Sequence, residues 1–317
     1  MARPLILDLD TGIDDTLALA YALASPEVEL IGVTATYGNV TVEQGARNSL
    51  AMLEMFGATH VPVFLGPGHA RTRSSFEVAE ISSFIHGANG IGEVEIPDAA
   101  RAAQDTSAVD FLIDSVRRYG EDLVIVPTGP STSVAAAIEA SKGFADNAHI
   151  VMMAGALTVP GNVTACSEAN VYQDPEAADL VFRRARDVTM VGLDVTLRTL
   201  LTSADTAQWK SLGTKRGEVL AALADYYIGA YATTSPHLGG CGLHDPLAVA
   251  IAIDPDLATY VELNLKVDTA APLRGRTIGD ETRLGQVANT RVAVSVDVEA
   301  FRSRFMHRLS ALASASS

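Results

Sequence analysis

Short apolar runs alternate along the chain with stretches of helical periodicity. Residues 5–9 read as a buried strand, 14–24 as a helix, 29–36 as a strand, 42–56 as a helix and 61–65 as a strand. The rhythm resumes with helix 108–119, strand 123–127, helix 131–140, strand 150–154, helix 175–184 and strand 188–193. Apolar runs of this length mark buried strands, and i, i+3, i+4 spacing marks helices. The alternation predicts an α/β protein: a mainly parallel, Rossmann-like open sheet with helices on both faces. From residue 202 the pattern turns helical, with late strands at 261–267 and 292–298. One domain spanning 1–317, with a helical C-terminal part, is expected. Residues 66–92 should form a long loop or a loop broken by a short helix, and loops of that length are usually functional. The Ala- and Ser-rich tail after Leu309 is expected to fray.

Composition narrows the partners. The chain has 317 residues, 48% hydrophobic and 19% charged, which suits a packed core and not a disordered chain. Lys and Arg number 23 against 38 Asp and Glu, a net charge of −15. Without a basic run, binding of a nucleic-acid polymer is not expected, although a single neutral nucleoside escapes that argument. Cys166 and Cys241 lack the spacing of a zinc site or a disulfide framework. No signal-peptide pattern precedes the first strand and no apolar run is long enough for a membrane span, so a cytoplasmic protein is expected.

The densest chemistry lies in Leu5-Ile6-Leu7-Asp8-Leu9-Asp10-Thr11-Gly12-Ile13-Asp14-Asp15. Its acids cluster at the C-terminal end of the first strand, where open parallel sheets bind ligands. Alternation puts Asp8 and Asp10 on one face, Gly12 permits a sharp turn, and Asp14 and Asp15 open a helix. Taken singly, Asp14 and Asp15 are helix-capping acids and Asp8 a solvated strand-end residue. Together, crowded carboxylates call for a cation, and oxygen-only ligands point to calcium or magnesium.

This Asp-x-Asp-x-Gly-x-Asp-Asp pattern resembles the signature of the inosine–uridine nucleoside hydrolases, with Thr11 where a proline is usual. Further matches follow in order along nearly the whole chain. They are Val126-Pro127-Thr128-Gly129-Pro130, then Met153 with Gly161-Asn162-Val163-Thr164 and Glu168-Ala169-Asn170, then Leu243-His244-Asp245-Pro246. The resemblance implies calcium held by Asp10, Asp15, Asp245 and the carbonyl of Thr128. It implies a water that gives its proton to Asp10, and an oxocarbenium-like transition state. Asp14, Asn39, Met153, Asn162, Glu168 and Asn170 are the implied contacts to the substrate, a small ribonucleoside. His244 and His86 are the candidates to assist departure of the base, and having both leans toward pyrimidine or broad specificity. In the His86 loop, Asn89 stands where an aspartate is common. Resembling enzymes are commonly homodimers or homotetramers.

Read without the resemblance, Asn39 and Asn162 are ordinary turn residues, Met153 is core, and Glu168 and Asn170 lie on a solvated loop. Tyr227 and Tyr231, one helical turn apart, either stack on a base or pack the core. His237 reads as a surface residue, and Trp209 lies in a polar stretch. Two other functions fit parts of the pattern. Ile6-Leu7-Asp8-Leu9-Asp10-Thr11 also fits the nucleophile motif of haloacid-dehalogenase-type, magnesium-dependent phosphatases, with Asp8 phosphorylated. A calcium-dependent nucleoside- or pentose-binding protein without catalysis is the other.

Overall fold

The computed structural model describes residues 2–315. Its strands are β1 (Arg3–Leu9), β2 (Val28–Ala35), β3 (Val63–Leu65), β4 (Val124–Pro127), β5 (His149–Met153), β6 (Asp187–Val191), β7 (Leu200–Leu201), β8 (Cys241–Gly242), β9 (Ala258–Leu263), β10 (Leu265–Val267), β11 (Thr277–Gly279) and β12 (Thr290–Val296). Its helices begin with α1 (Ile13–Leu23), α2 (Val42–Met55), α3 (Glu80–His86), α4 (Ala108–Tyr119), α5 (Thr132–Ala140) and α6 (Lys142–Asn147). They continue with α7 (Ala169–Gln173), α8 (Pro175–Arg184), α9 (Leu193–Thr196), α10 (Ser203–Ser211), α11 (Lys215–Thr234), α12 (His244–Ile253) and α13 (Val298–Ser314).

Eight strands form one sheet in the order β3-β2-β1-β4-β5-β6-β12-β9. All neighbours run parallel except β9, which pairs antiparallel with β12 at the edge. The chain steps outward from β1 to β3 and then returns to β4 on the other side of β1. That reversal between β1 and β4 is a topological switch point, and the C-terminal ends of these two strands frame a crevice.

Local chemistry accounts for the elements. In α4, Ser107 accepts from the Asp110 N–H as the N-cap, and Ala108, Leu112, Ile113 and Val116 make one buried face. α12 is buried all round, from His244 to Ala252, so it can carry polar residues inward only at its start. Two apolar clusters form the core, one on each side of the sheet: β1 sends Leu5, Leu7 and Leu9 into the first and Ile6 into the second.

Two expectations are corrected. The strand expected over 261–267 is two, because Asn264 turns its side-chain amide onto the carbonyls of Arg283, Gln286 and Val287. β9 therefore stays in the large sheet while β10 pairs with β11. The tail after Leu309 continues as helix to Ser314, pinned by buried Leu309 and Ala313; residues 316 and 317 lie outside the described residues. Trp209 is fully buried, edge-on to Phe305, despite its polar neighbours in sequence. Residues 66–92 are indeed a loop broken by a short helix, α3. Among the described residues, no helix is long and apolar enough to cross a membrane.

Candidate active site

β1 delivers Asp10 just past its last residue, and the chain turns at Thr11 and Gly12 into α1. A Cβ at position 12 would lie 2.7 Å from both Asn39 Nδ2 and His86 Nδ1, so only glycine lets two loops close on this turn. Asp15 is held from three sides. Gly12 N–H (2.8 Å) and Asn39 Nδ2 (3.2 Å) donate to Oδ2, and the Thr128 hydroxyl (2.7 Å) donates to Oδ1. Asp10 Oδ2 accepts the backbone N–H of Asn39 at 2.7 Å. Asp14 Oδ2 accepts from the Tyr227 hydroxyl at 3.3 Å. The remaining oxygens, Asp10 Oδ1 and Asp14 Oδ1, are buried with no hydrogen-bond partner among the described residues.

Asp245, the second residue of α12, completes the cluster: one oxygen each of Asp14, Asp15 and Asp245 lies within 4.8 Å of the others. Asp10 is outside that closest trio, yet it borders Asp15 closely enough for the two to perturb each other. Burial, then the charge of Asp15, raises the Asp14 carboxyl to about 7. The same two causes hold Asp10 well above the ordinary carboxylate range. Burial and the charges of Asp14, Asp15 and Asp10 do so for Asp245. Acids placed like this either retain protons or share a cation. The donors are all oxygens and two are orphaned, which fits a hard divalent ion.

One cleft of about 610 Å³ opens beside this cluster, lined by Asp14, Asn39, Thr128 and Asp245. The segment after β5 adds Met153, Asn162, Glu168 and Asn170. Glu168 and Asn170 do not lie on a solvated loop: both are buried. Glu168 caps α7, accepting the N–H of Asn170 (2.8 Å) and Val171 (3.2 Å), and reaches back to the N–H of Gly155 (2.9 Å). Asn170 Nδ2 donates to the Thr128 carbonyl (2.6 Å) and the Met153 carbonyl (3.1 Å), joining β4 to β5 at the cleft. Asn162 Oδ1 accepts the N–H of Ala169 at 3.0 Å.

Both candidate histidines also line this cleft. His86 ends α3, and its Nδ1 accepts the Ile13 N–H at 3.2 Å, which leaves the ring proton on Nε2. His244 Nδ1 is 2.8 Å from the Thr196 hydroxyl, and its Nε2 is 2.7 Å from the Tyr231 hydroxyl. Burial pushes His86 down to about 3, with the charge of His244 adding to it, and burial alone pushes His244 down to about 4. Neither ring is an imidazolium at neutral pH; each offers a neutral N–H or relays through Tyr231.

The expected residues thus converge on one cleft, with Asp10 and Asp15 buried beside it. Asp8 does not join the trio. It is fully buried, not solvated, and accepts the Thr34 hydroxyl at 2.7 Å. Tyr227 and Tyr231 line the cleft and pack edge to face, serving core and site together. His237 is exposed, as expected, and stands where the cleft meets solvent. Sequence reasoning missed Thr196 and Asp194. The signal for them was present: they follow Gly192 at the end of β6, another strand terminus on the ligand-binding edge of the sheet.

Residues 5–303 match the family model described as inosine-uridine preferring nucleoside hydrolase. A solved purine-preferring ribonucleoside hydrolase from Gardnerella vaginalis is 60% identical with a TM-score of 0.97, the match covering 98% of this chain and 99% of that one. The pyrimidine-specific ribonucleoside hydrolase RihA of Escherichia coli O9:H4 (strain HS) is 35% identical, over 98% of this chain and 99% of the relative. Uridine nucleosidase 1 of Arabidopsis thaliana is 34% identical, over 87% of this chain and 82% of the relative.

Proposed function

Because the chain belongs to the inosine-uridine preferring nucleoside hydrolase family, we propose that its cleft hydrolyses the N-glycosidic bond of ribonucleosides with calcium as its resident ion. The reading rests chiefly on one observation: Asp10 just past β1, Asp14 and Asp15 of α1 and Asp245 of α12 crowd together, buried, with two of their oxygens, Asp10 Oδ1 and Asp14 Oδ1, unpartnered among the described residues. Asp10, Asp15, Asp245 and the Thr128 carbonyl would hold the ion, and Asp14 is close enough to share in it. Bound there, calcium supplies Lewis acidity that makes a water nucleophilic at neutral pH and a template for a ribose diol.

The chain's own residues do the rest. Asn39 fixes Asp10 through Oδ2, which leaves Oδ1 as the free base for the proton of the attacking water. Asp14, Asn39, Asn162, Glu168 and Asn170 grip the sugar hydroxyls, with Met153 against the ring. As the C–N bond breaks, positive charge grows on the sugar, and the surrounding carboxylates favour it. His86, neutral, offers its Nε2–H to the departing base, while His244, whose two nitrogens are paired with Thr196 and Tyr231, acts through the Tyr231 hydroxyl; both stabilise the negative charge of the base.

The preferences named for the relatives divide between purine and pyrimidine and single out neither for this cleft. We therefore carry broad base specificity, with the whole chain working as one catalytic unit. A phosphatase reading gains no support, since Asp8 is buried against Thr34 and does not line the cleft. Cytoplasmic action and a homodimer or homotetramer belong to the same proposal; the unpaired Cys166 and Cys241 suit a reducing compartment.

The test is release of free base from uridine, cytidine, inosine and adenosine, with and without a chelator and calcium add-back. Turnover of both base classes, lost on chelation and restored by calcium, supports the proposal. A 2′-deoxynucleoside leaves ion and side chains unsatisfied, and its kcat/KM should fall by about a hundredfold or more. Equal turnover of uridine and deoxyuridine contradicts the ribose grip.

A further inference from the structure

α9 is a four-residue helix followed by Leu197, which lines the cleft, and its Asp194 has no part in the chemistry above. The Asp194 carboxylate is buried and fully engaged. Oδ2 accepts the N–H of Leu157 (2.9 Å), and Oδ1 accepts both the N–H (2.7 Å) and the hydroxyl (2.6 Å) of Thr158. Leu157 and Thr158 begin the arm that leaves β5 and carries Pro160, Gly161, Asn162 and Val163 to the cleft.

The arm has few other ties. Its far end is secured at Ser167, whose hydroxyl donates to the Arg274 carbonyl at 2.6 Å, and at Glu168. Between these anchors, residues 159–166 are partly or fully exposed and lean on one another and on the far anchor: Gly161 N–H donates to the Ala165 carbonyl (3.3 Å), Val163 N–H to the Ser167 carbonyl (3.2 Å) and Ala169 N–H to Asn162 Oδ1 (3.0 Å). Asp194 is therefore the near-end clamp of an arm whose middle presents Asn162. Three hydrogen bonds to one side chain fix the direction in which the arm departs, and a small change of direction at its root moves Asn162 at its middle.

We infer that Asp194 is a positioning residue that sets substrate affinity by aiming the 157–163 arm, and with it Asn162, at the ribose. It acts on binding through the arm: Asp10 and His86 are held from other elements, and His244, although its partner Thr196 shares α9, makes no hydrogen bond to Asp194 itself and is held from its other side by Tyr231. The inference rests on the ribonucleoside hydrolase reading, and its test separates the two.

Asp194→Asn keeps the volume but turns one acceptor into a donor facing backbone N–H groups. Its KM for uridine or inosine should rise about tenfold, with kcat within about threefold of the unaltered enzyme. Thr158→Val, which removes only the hydroxyl contact, should give a smaller rise in the same parameter. If Asp194 acts through Asn162, adding Asp194→Asn to Asn162→Ala should raise KM little further. Unaltered KM in Asp194→Asn overturns the inference, as does a KM effect that multiplies fully with that of Asn162→Ala. Should Asp194→Asn unfold, Thr158→Val carries the same comparison, and an unchanged KM there overturns the inference. An unaltered enzyme that releases no base defeats the functional reading instead, whatever the variants do.

Discussion

Two regions of this molecule bury aspartates, and they do so in opposite ways. Asp280, 1% exposed, accepts from Thr282 N–H (3.0 Å), Thr282 Oγ1 (2.7 Å) and Arg283 Nε (2.7 Å), with Arg183 at 3.3 Å. Burial alone would raise its carboxyl, but those hydrogen bonds and the Arg183 charge outweigh it and hold Asp280 at about 2. At the cleft, Asp10, Asp14, Asp15 and Asp245 are also shielded from solvent and lie deeper in the protein than Asp280, yet no lysine or arginine is paired with any of them among the described residues. All four are raised instead, Asp14 to about 7. The chain supplies its own cations at the structural site and withholds them at the functional one. A divalent ion would balance the carboxylates crowded there.

The comparison breaks first at the acids themselves. Asp10→Ala or Asp245→Ala should lower kcat/KM by about a thousandfold or more, since each would remove a ligand and the first also removes the base. Melting of the chelated Asp245→Ala protein should show no loss of stability, because one of several repelling charges has gone. A chelated variant that melts well below the chelated unaltered protein would place Asp245 among structural acids like Asp280. Next in size, Tyr231→Phe should cost about tenfold in kcat while KM stays near its starting value, because it removes the hydroxyl through which His244 would reach the base. An unchanged kcat would take Tyr231 out of base departure.

Asp280→Asn gives the reverse pattern: about 2 kcal/mol of stability lost, read by denaturant unfolding, with nucleoside turnover unchanged. The two regions should also part with pH. Asp280 is depressed, so its stabilisation is present above the ordinary carboxylate pKa and fades as pH falls from about 4 through about 2. The cleft acids are raised, so their contribution in the metal-free protein is full below about pH 4 and fades as pH rises through about 7. Calcium should flatten that second slope and leave the first untouched, as followed by melting temperature across pH.

Much of this was legible in the sequence because it is local. The run from Leu5 to Asp15 encodes strand, turn and helix start in consecutive residues, and its acids fall at a strand terminus where parallel sheets place their sites. The order of β1 to β6 followed from the same periodicity. What escaped reading depends on contacts distant in sequence. Asp194 matters only because α9 meets residues 157–158, and Tyr231 only because its helix brings it to His244. The break at Asn264 arises from carbonyls some twenty residues on, and a strand pattern records no such pull. Glu168 and Asn170 looked like loop residues because α7 is one short turn of helix, held by the Glu168 cap and the Asn170 amide.

Calcium binding tests the central claim most directly. Titration calorimetry of the chelator-stripped protein should show one calcium ion per chain, with that binding lost in Asp245→Ala and base release from uridine restored in step with occupancy. A stripped protein that takes up no ion and still splits uridine at the full rate would contradict the account.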